Sequence, residues 1–272
     1  MNQKGDSRFD LYRRMSIEKQ NILQKELLEY TLRLGDNALI LGQRLAEWCG
    51  HGPVLEQDIA LSNISLDHLG QARMLMQYAA ELKGEDCTED KMAFFRDIME
   101  YKNLLILELE NGDWGKTLAR QFLFDTFNYF QYTELLKSKD DHIRAVAQKA
   151  IKEITYHAQW SAEWIIRLGD GTEESHERIQ NSINELWEWT GEMFEMDAVD
   201  QKMIEAGIGV NLEPIKVAWH EKVAEILEMA TLTKPETGWM QTGGKKGEHT
   251  EYLGFVLAEM QHLPRMYPEA KW

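Results

Sequence analysis

Proline is scarce in this chain, five residues in 272, and the 19 glycines leave long stretches of 3.6-residue apolar periodicity unbroken. Little is available to interrupt a helix. No sustained apolar/polar alternation bounded by turn residues occurs, so there is no pattern from which to build a sheet. The class that remains is all-α. Cysteine is equally sparse. Cys49 and Cys87 have no C-x-x-C or Cys/His spacing around them, which excludes a disulfide framework and a structural zinc site. Basic residues are outnumbered 30 to 46 by acidic ones, giving a net charge of −16. Such a surface repels polynucleotides and anionic lipid, so neither nucleic acid nor a membrane is expected as a partner. No apolar run approaches the ~18 residues of a membrane span, and the stretch from Met1 to Asp10 lacks a signal-peptide core; the expected location is cytoplasmic.

What the sequence does have is helix, with 43% apolar residues to fill a core. It predicts a polar, disordered N-terminal extension over 1–15 and a single helical domain over 16–272. The bundle core is placed at about 16–169, with further C-terminal helices at about 172–272. Ser16 caps a first helix running to Trp48, stopped by Gly50-His51-Gly52-Pro53. A second runs from Leu55 to Leu82, and Thr88 caps a third through Tyr101. Asp113 opens a helix to Lys137 and Asp141 one to Leu168, ended by Gly169-Asp170-Gly171. Thr172 caps a helix to Met196, another spans Glu213 to Met229, and a last one ends at His262.

Two short stretches carry the chemistry. A carboxylate-bridged metal pair in a four-helix bundle takes a Glu from each of two helices and a Glu-x-x-His pair from each of the other two. The i,i+3 spacing places both ligands of a pair on one helical face. Asp67-His68-Leu69-Gly70-Gln71 and Glu153-Ile154-Thr155-Tyr156-His157 resemble those two half-sites with ligands exchanged. His68 stands where Glu belongs and Gln71 where His belongs. In the second copy Ile154 replaces Glu and His157 survives. Equal heights in a helical hairpin lie equally far from its turn. Asp36 and Asp67 are centred on the Gly50–Pro53 turn, and Asp125 and Glu153 on the turn at Lys139, as two acid pairs at one level would be. On an apolar face such acids need partners. They form either a hydrogen-bonded polar layer or a metal site. Ile154 can neither bridge nor compensate charge, so no metal is expected. Intact Glu-x-x-His spacings at Glu173/His176 and Glu259/His262 lie outside the bundle core and read as chance pairs, as do the isolated His142, His220 and His249. The loop Thr242-Gly243-Gly244-Lys245-Lys246-Gly247 has free backbone N–H groups and two lysines before a helix, a combination suited to phosphate.

Five strings point further: Leu32-Arg33-Leu34-Gly35-Asp36-Asn37, the run from Gly42 to His51, the run from Asp67 to Arg73, Lys152 to His157, and the Gly/Lys loop. Together they make the chain, from Leu27 to Trp272, resemble the C subunits of the bacterial phenylacetyl-CoA epoxidases. The resemblance implies a ferritin-like four-helix bundle with additional C-terminal helices. It also implies a non-catalytic, structural role: binding and supporting a catalytic A subunit that holds the di-iron site and epoxidises phenylacetyl-CoA, within a larger complex that includes a reductase, in aerobic phenylacetate catabolism. No cofactor is then expected in this subunit, and a homodimer is possible when it is isolated. Lys245 and Lys246 become candidate contacts for CoA phosphates, and Trp48, Trp187 and Trp189 candidate anchors for the partner, since aromatic residues favour interfaces. His68 departs from the family pattern, where an apolar residue is expected, as does the N-terminal segment. The alternative is an independent ferritin-like metal-dependent oxidase using the residual acids with His68 and His157.

Overall fold

The computed structural model describes residues 8–270 apart from Glu85 and Thr237, with the backbone alone for residues 8–21. Ten α-helices and no strands are found among these residues: α1 (Arg8–Ala46), α2 (Leu55–Lys83), α3 (Glu89–Phe94), α4 (Trp114–Leu135), α5 (Asp141–Gly169), α6 (Glu173–Trp187), α7 (Ala198–Glu205), α8 (Leu212–Met229), α9 (Glu251–Met260) and α10 (His262–Met266). The hairpins α1–α2 and α4–α5 form a ferritin-like four-helix bundle. Helices α6 and α8 pack on the second hairpin, and α7 and α9 on α1. Where α2 meets α5, Gln57 accepts from Trp160 and Trp164, Asp67 pairs with His157, and Gln71 donates to Glu153. Residue numbers rise on one helix as they fall on the other, so the two run antiparallel.

Most predicted starts are real. Thr88, Asp113 and Thr172 each accept a hydrogen bond from a backbone N–H of the following turn, and the helix expected from Glu213 starts one residue earlier, capped by Asn211. Three boundaries differ for identifiable reasons. Helix α1 begins at Arg8, so Ser16 lies within it and not at its start, and the expected disordered extension over 1–15 is helical from Arg8 onward; residues 1–7 lie outside the described residues. Helix α3 stops at Phe94 instead of Tyr101. The cause is Arg96, which folds inward, donating to the Met92 and Glu100 carbonyls and to Asp36. Helix α6 stops at Trp187 instead of Met196, because the Thr190 hydroxyl takes the Trp187 carbonyl and the chain turns through Gly191–Phe194 to bury Glu192. Helix α7, capped by Asp197, was not foreseen; Asp197 and Asp200 both accept from Arg33 on α1. The last helix breaks at Gln261, whose amide donates to the Arg96 carbonyl and the Tyr101 hydroxyl.

The core between α4, α6 and α8 is aromatic. Trp219 is fully buried, donates to the Leu123 carbonyl at 2.9 Å, and stacks near Trp187 and Phe194.

Candidate functional site

In the middle of the bundle, helical periodicity turns His68 and Gln71 of α2, Gln121 and Asp125 of α4, and Ile154, His157 and Ser161 of α5 inward. His68, Asp125 and His157 converge. Each offers a donor atom within 4.8 Å of the others, and the two imidazole rings lie 5.0 Å apart. All three residues are buried to 1% exposure or less. Asp67, one residue before His68 and one-third exposed, reaches around to His157 Nε2 at 3.0 Å. Toward that carboxylate Nε2–H is the donor, and Nδ1 is the other ring nitrogen.

Both nitrogens of His68, both carboxylate oxygens of Asp125 and Nδ1 of His157 have no hydrogen-bond partner among the described residues. Each such buried atom costs about 1–3 kcal/mol. Burial, with His157 alongside, holds the His68 imidazole well below its ordinary pKa of 6.5, so it is neutral at pH 7. Burial pushes the Asp125 carboxyl up to about 6, against the opposing pull of His157, Ser161 and Arg120. The Ser161 hydroxyl itself donates to the His157 carbonyl at 2.9 Å, and the Arg120 guanidinium is directed to Leu109 and Asn111. Asp125 thus has no counter-ion in hydrogen-bond contact among the described residues.

The other predicted acids go elsewhere. Asp36 does not share a level with Asp67. It faces away from the histidines and is sealed by Arg96, with its Oδ2 accepting from Arg96 Nη1 and from the Lys102 backbone N–H, each at 2.9 Å. Glu153 sits at the half-exposed edge, 3.3 Å from the Gln71 amide. Ile154 is fully buried hydrocarbon. A bridged metal pair does not fit these residues: one required carboxylate is Ile154, a second is neutralised by an arginine, and Gln71 is engaged with Glu153. Gly42 of α1 faces Ser65 and Leu69 of α2, and Gly35 faces Leu75 and Met76, so equal distance from the turn gave Asp36 and Asp67 neither a common height nor a common face.

The Gly/Lys loop is also not the open cradle expected of a phosphate site. The Gly243 and Gly244 N–H groups donate to the buried Glu192 carboxylate, at 2.9 and 2.6 Å, and Leu105 N–H donates to its other oxygen at 2.8 Å. An internal anion already occupies the cradle. Lys245 turns back to the Glu195 carbonyl and lies 3.5 Å from Asp200, whereas Lys246 is exposed. The tryptophans need correction too. Trp187 is 3% exposed and belongs to the chain's own core. Trp48 and Trp189 are half-buried, and Trp48 stacks edge-on against Trp114 while donating to Thr117. His176 takes the Gly169 carbonyl at 2.7 Å, a helix-end contact.

Sequence reasoning missed Arg96, Glu192 and the buried pair His249–Glu108, whose Nδ1 and Oε2 lie 2.9 Å apart. A buried Asp36 signals that some cation must come, but nothing in the local sequence says which one.

The chain matches the family described as Phenylacetic acid catabolic protein over residues 15–272. It is 48% identical over 247 residues to the C subunit of the 1,2-phenylacetyl-CoA epoxidase of Escherichia coli (strain K12), an alignment covering 91% of this chain and 99% of that protein.

Proposed function

The chain belongs to the Phenylacetic acid catabolic protein family, and from that premise we propose that it is the non-catalytic C subunit of a phenylacetyl-CoA epoxidase, which binds and supports a di-iron A subunit. The observation that carries this reading is the fate of the ligand positions. Ile154 closes the place of a bridging carboxylate, and the Asp36–Arg96 pair closes another. Oxygen activation by two metals needs both. The rival reading, an independent oxidase, requires acids that this interior has already committed.

An auxiliary bundle acts by holding its partner's helices in a competent geometry, so binding energy becomes stability of the complex. The surface offers one stripe for this. Leu55, Ile59 and Leu66 are 71%, 52% and 64% exposed and follow each other at spacings of four and seven along one face of α2. Tyr156, 48% exposed, lies at the adjoining level of α5. We place the A-subunit contact there rather than on the tryptophans. Among the described residues no helix is long and apolar enough to cross a membrane. The reading places the complex, with its reductase, in the cytoplasm.

Co-expression with the A subunit, followed by sizing and activity measurement, tests the reading. The expected result is a stable complex whose epoxidation of phenylacetyl-CoA is lost when this chain is omitted. Turnover by this polypeptide alone overturns it.

A further inference from the structure

The bundle interior cannot hold a bridged pair of metals, but it contains a set of donors arranged for one. We propose that His68, Asp125 and His157 bind a single divalent first-row transition ion as a structural cation, revising the expectation of a metal-free interior.

Four features of the chain support this. The donors are two imidazoles and one carboxylate, a set that suits borderline divalent ions such as zinc, cobalt, manganese or iron. Their ligand atoms lie within 4.8 Å of one another. The centre of a triangle with sides of that length is about 2.8 Å from each corner, so moving every donor inward by less than about 1 Å reaches metal–ligand distances of roughly 2.0–2.2 Å. Five buried side-chain atoms of these three residues also lack a partner among the described residues, although buried polar groups are almost always paired. Finally, His157 is already oriented as a ligand. Its Nε2 is held by the Asp67 carboxylate at 3.0 Å, the outer support that metal-binding histidines characteristically receive, and its Nδ1 has no partner among the described residues.

Charge fits the same assignment. Asp125 has no ion-pair partner among the described residues, and a dication would supply one. The Gln71 side-chain oxygen, one turn beyond His68, also lacks a partner among the described residues and is a further oxygen donor on that helical face. The role is distinct from the scaffold function: the cation would rigidify the contact between α2, α4 and α5, and the scaffold reading stands or falls separately on complex formation.

The full chain, stripped with a chelator and dialysed, is titrated with Zn2+ by calorimetry and with Co2+ by visible absorption. One equivalent is expected, with Co2+ d–d bands and a rise in thermal midpoint on Zn2+ addition. His68→Leu should abolish all three responses. Asp67→Asn touches no metal directly; it should leave the stoichiometry at one and weaken affinity by about 10–100-fold. Should His68→Leu fail to fold, Asp67→Asn still decides through that affinity loss. Absence of uptake by the wild-type chain, uptake unaltered in His68→Leu, or two interior equivalents lost together would each overturn the proposal. In the first case, the three groups are satisfied by sharing protons.

Discussion

The Asp36 carboxylate and the Arg96 guanidinium meet inside the protein, 60 residues apart in sequence, with Asp36 fully buried and Arg96 4% exposed. Removing one partner of a buried ion pair strands the other charge, which costs about 3–5 kcal/mol. Arg96→Met should lower unfolding stability by about that amount in urea titration. The double variant Asp36→Leu/Arg96→Met should recover most of the loss, since it leaves no charge behind.

His249 titrates against its surroundings in a defined direction. Its Nδ1 faces Glu108 and its Nε2 faces the Tyr101 carbonyl, so both nitrogens act as donors and the imidazolium is favoured. These contacts, against the opposing effect of burial, raise its pKa above the ordinary 6.5. A raised pKa in the folded state stabilises fully below the unfolded value and fades as pH climbs through the folded value. The stability difference between wild type and His249→Gln should therefore be largest at acidic pH and shrink on the alkaline side of 6.5. Denaturant midpoints across neutral pH measure it.

The exposed stripe on α2 and the buried tryptophans make opposite predictions. Leu66→Glu should leave the thermal midpoint within the range of ordinary surface changes, about 0.5 kcal/mol, while weakening co-purification with the A subunit. Trp187→Ala should cost about 3–5 kcal/mol of stability. Retained co-purification after Leu66→Glu would remove the stripe as the contact.

Glu192 accounts for the Gly/Lys loop. Replacing both Lys245 and Lys246 by Ala should leave the KM for phenylacetyl-CoA unchanged in the assembled complex. Glu192→Ala instead frees three backbone N–H groups that the carboxylate now satisfies. It should cost at least about 1–3 kcal/mol and open the 242–247 loop to protease. A raised KM in the lysine variant would restore the phosphate role.

The helical class and the boundaries of α2, α4 and α8 were legible because periodicity and capping are local. The degenerate half-sites were also legible, since ligand spacing is a property of one helix, and His68 and His157 do meet. What could not be read was set by contacts between distant segments. Arg96 ends α3 early because Asp36 needs it, and Glu192 ends α6 early because Leu105 and the glycines need it. Asp67 looked like an inward acid and proved to be an outer support for His157. Spacing within a helix gave the face of the two histidines, whereas the partners of the acids came from chain that had to arrive from elsewhere.

Gly244 and Gly247 press their backbones against the carbonyls of Asn103 and Met99 so closely that no side chain would fit at either place. With Gln261 on the Arg96 carbonyl and His249 on that of Tyr101, the stretch from Gly243 to Gln261 clamps the segment that carries the guanidinium to Asp36. The first hairpin is therefore locked by chain that is synthesised long after it. A chain lacking that stretch would lose these contacts on the Arg96 segment, and with them the support of the counter-charge that the buried Asp36 carboxylate uses.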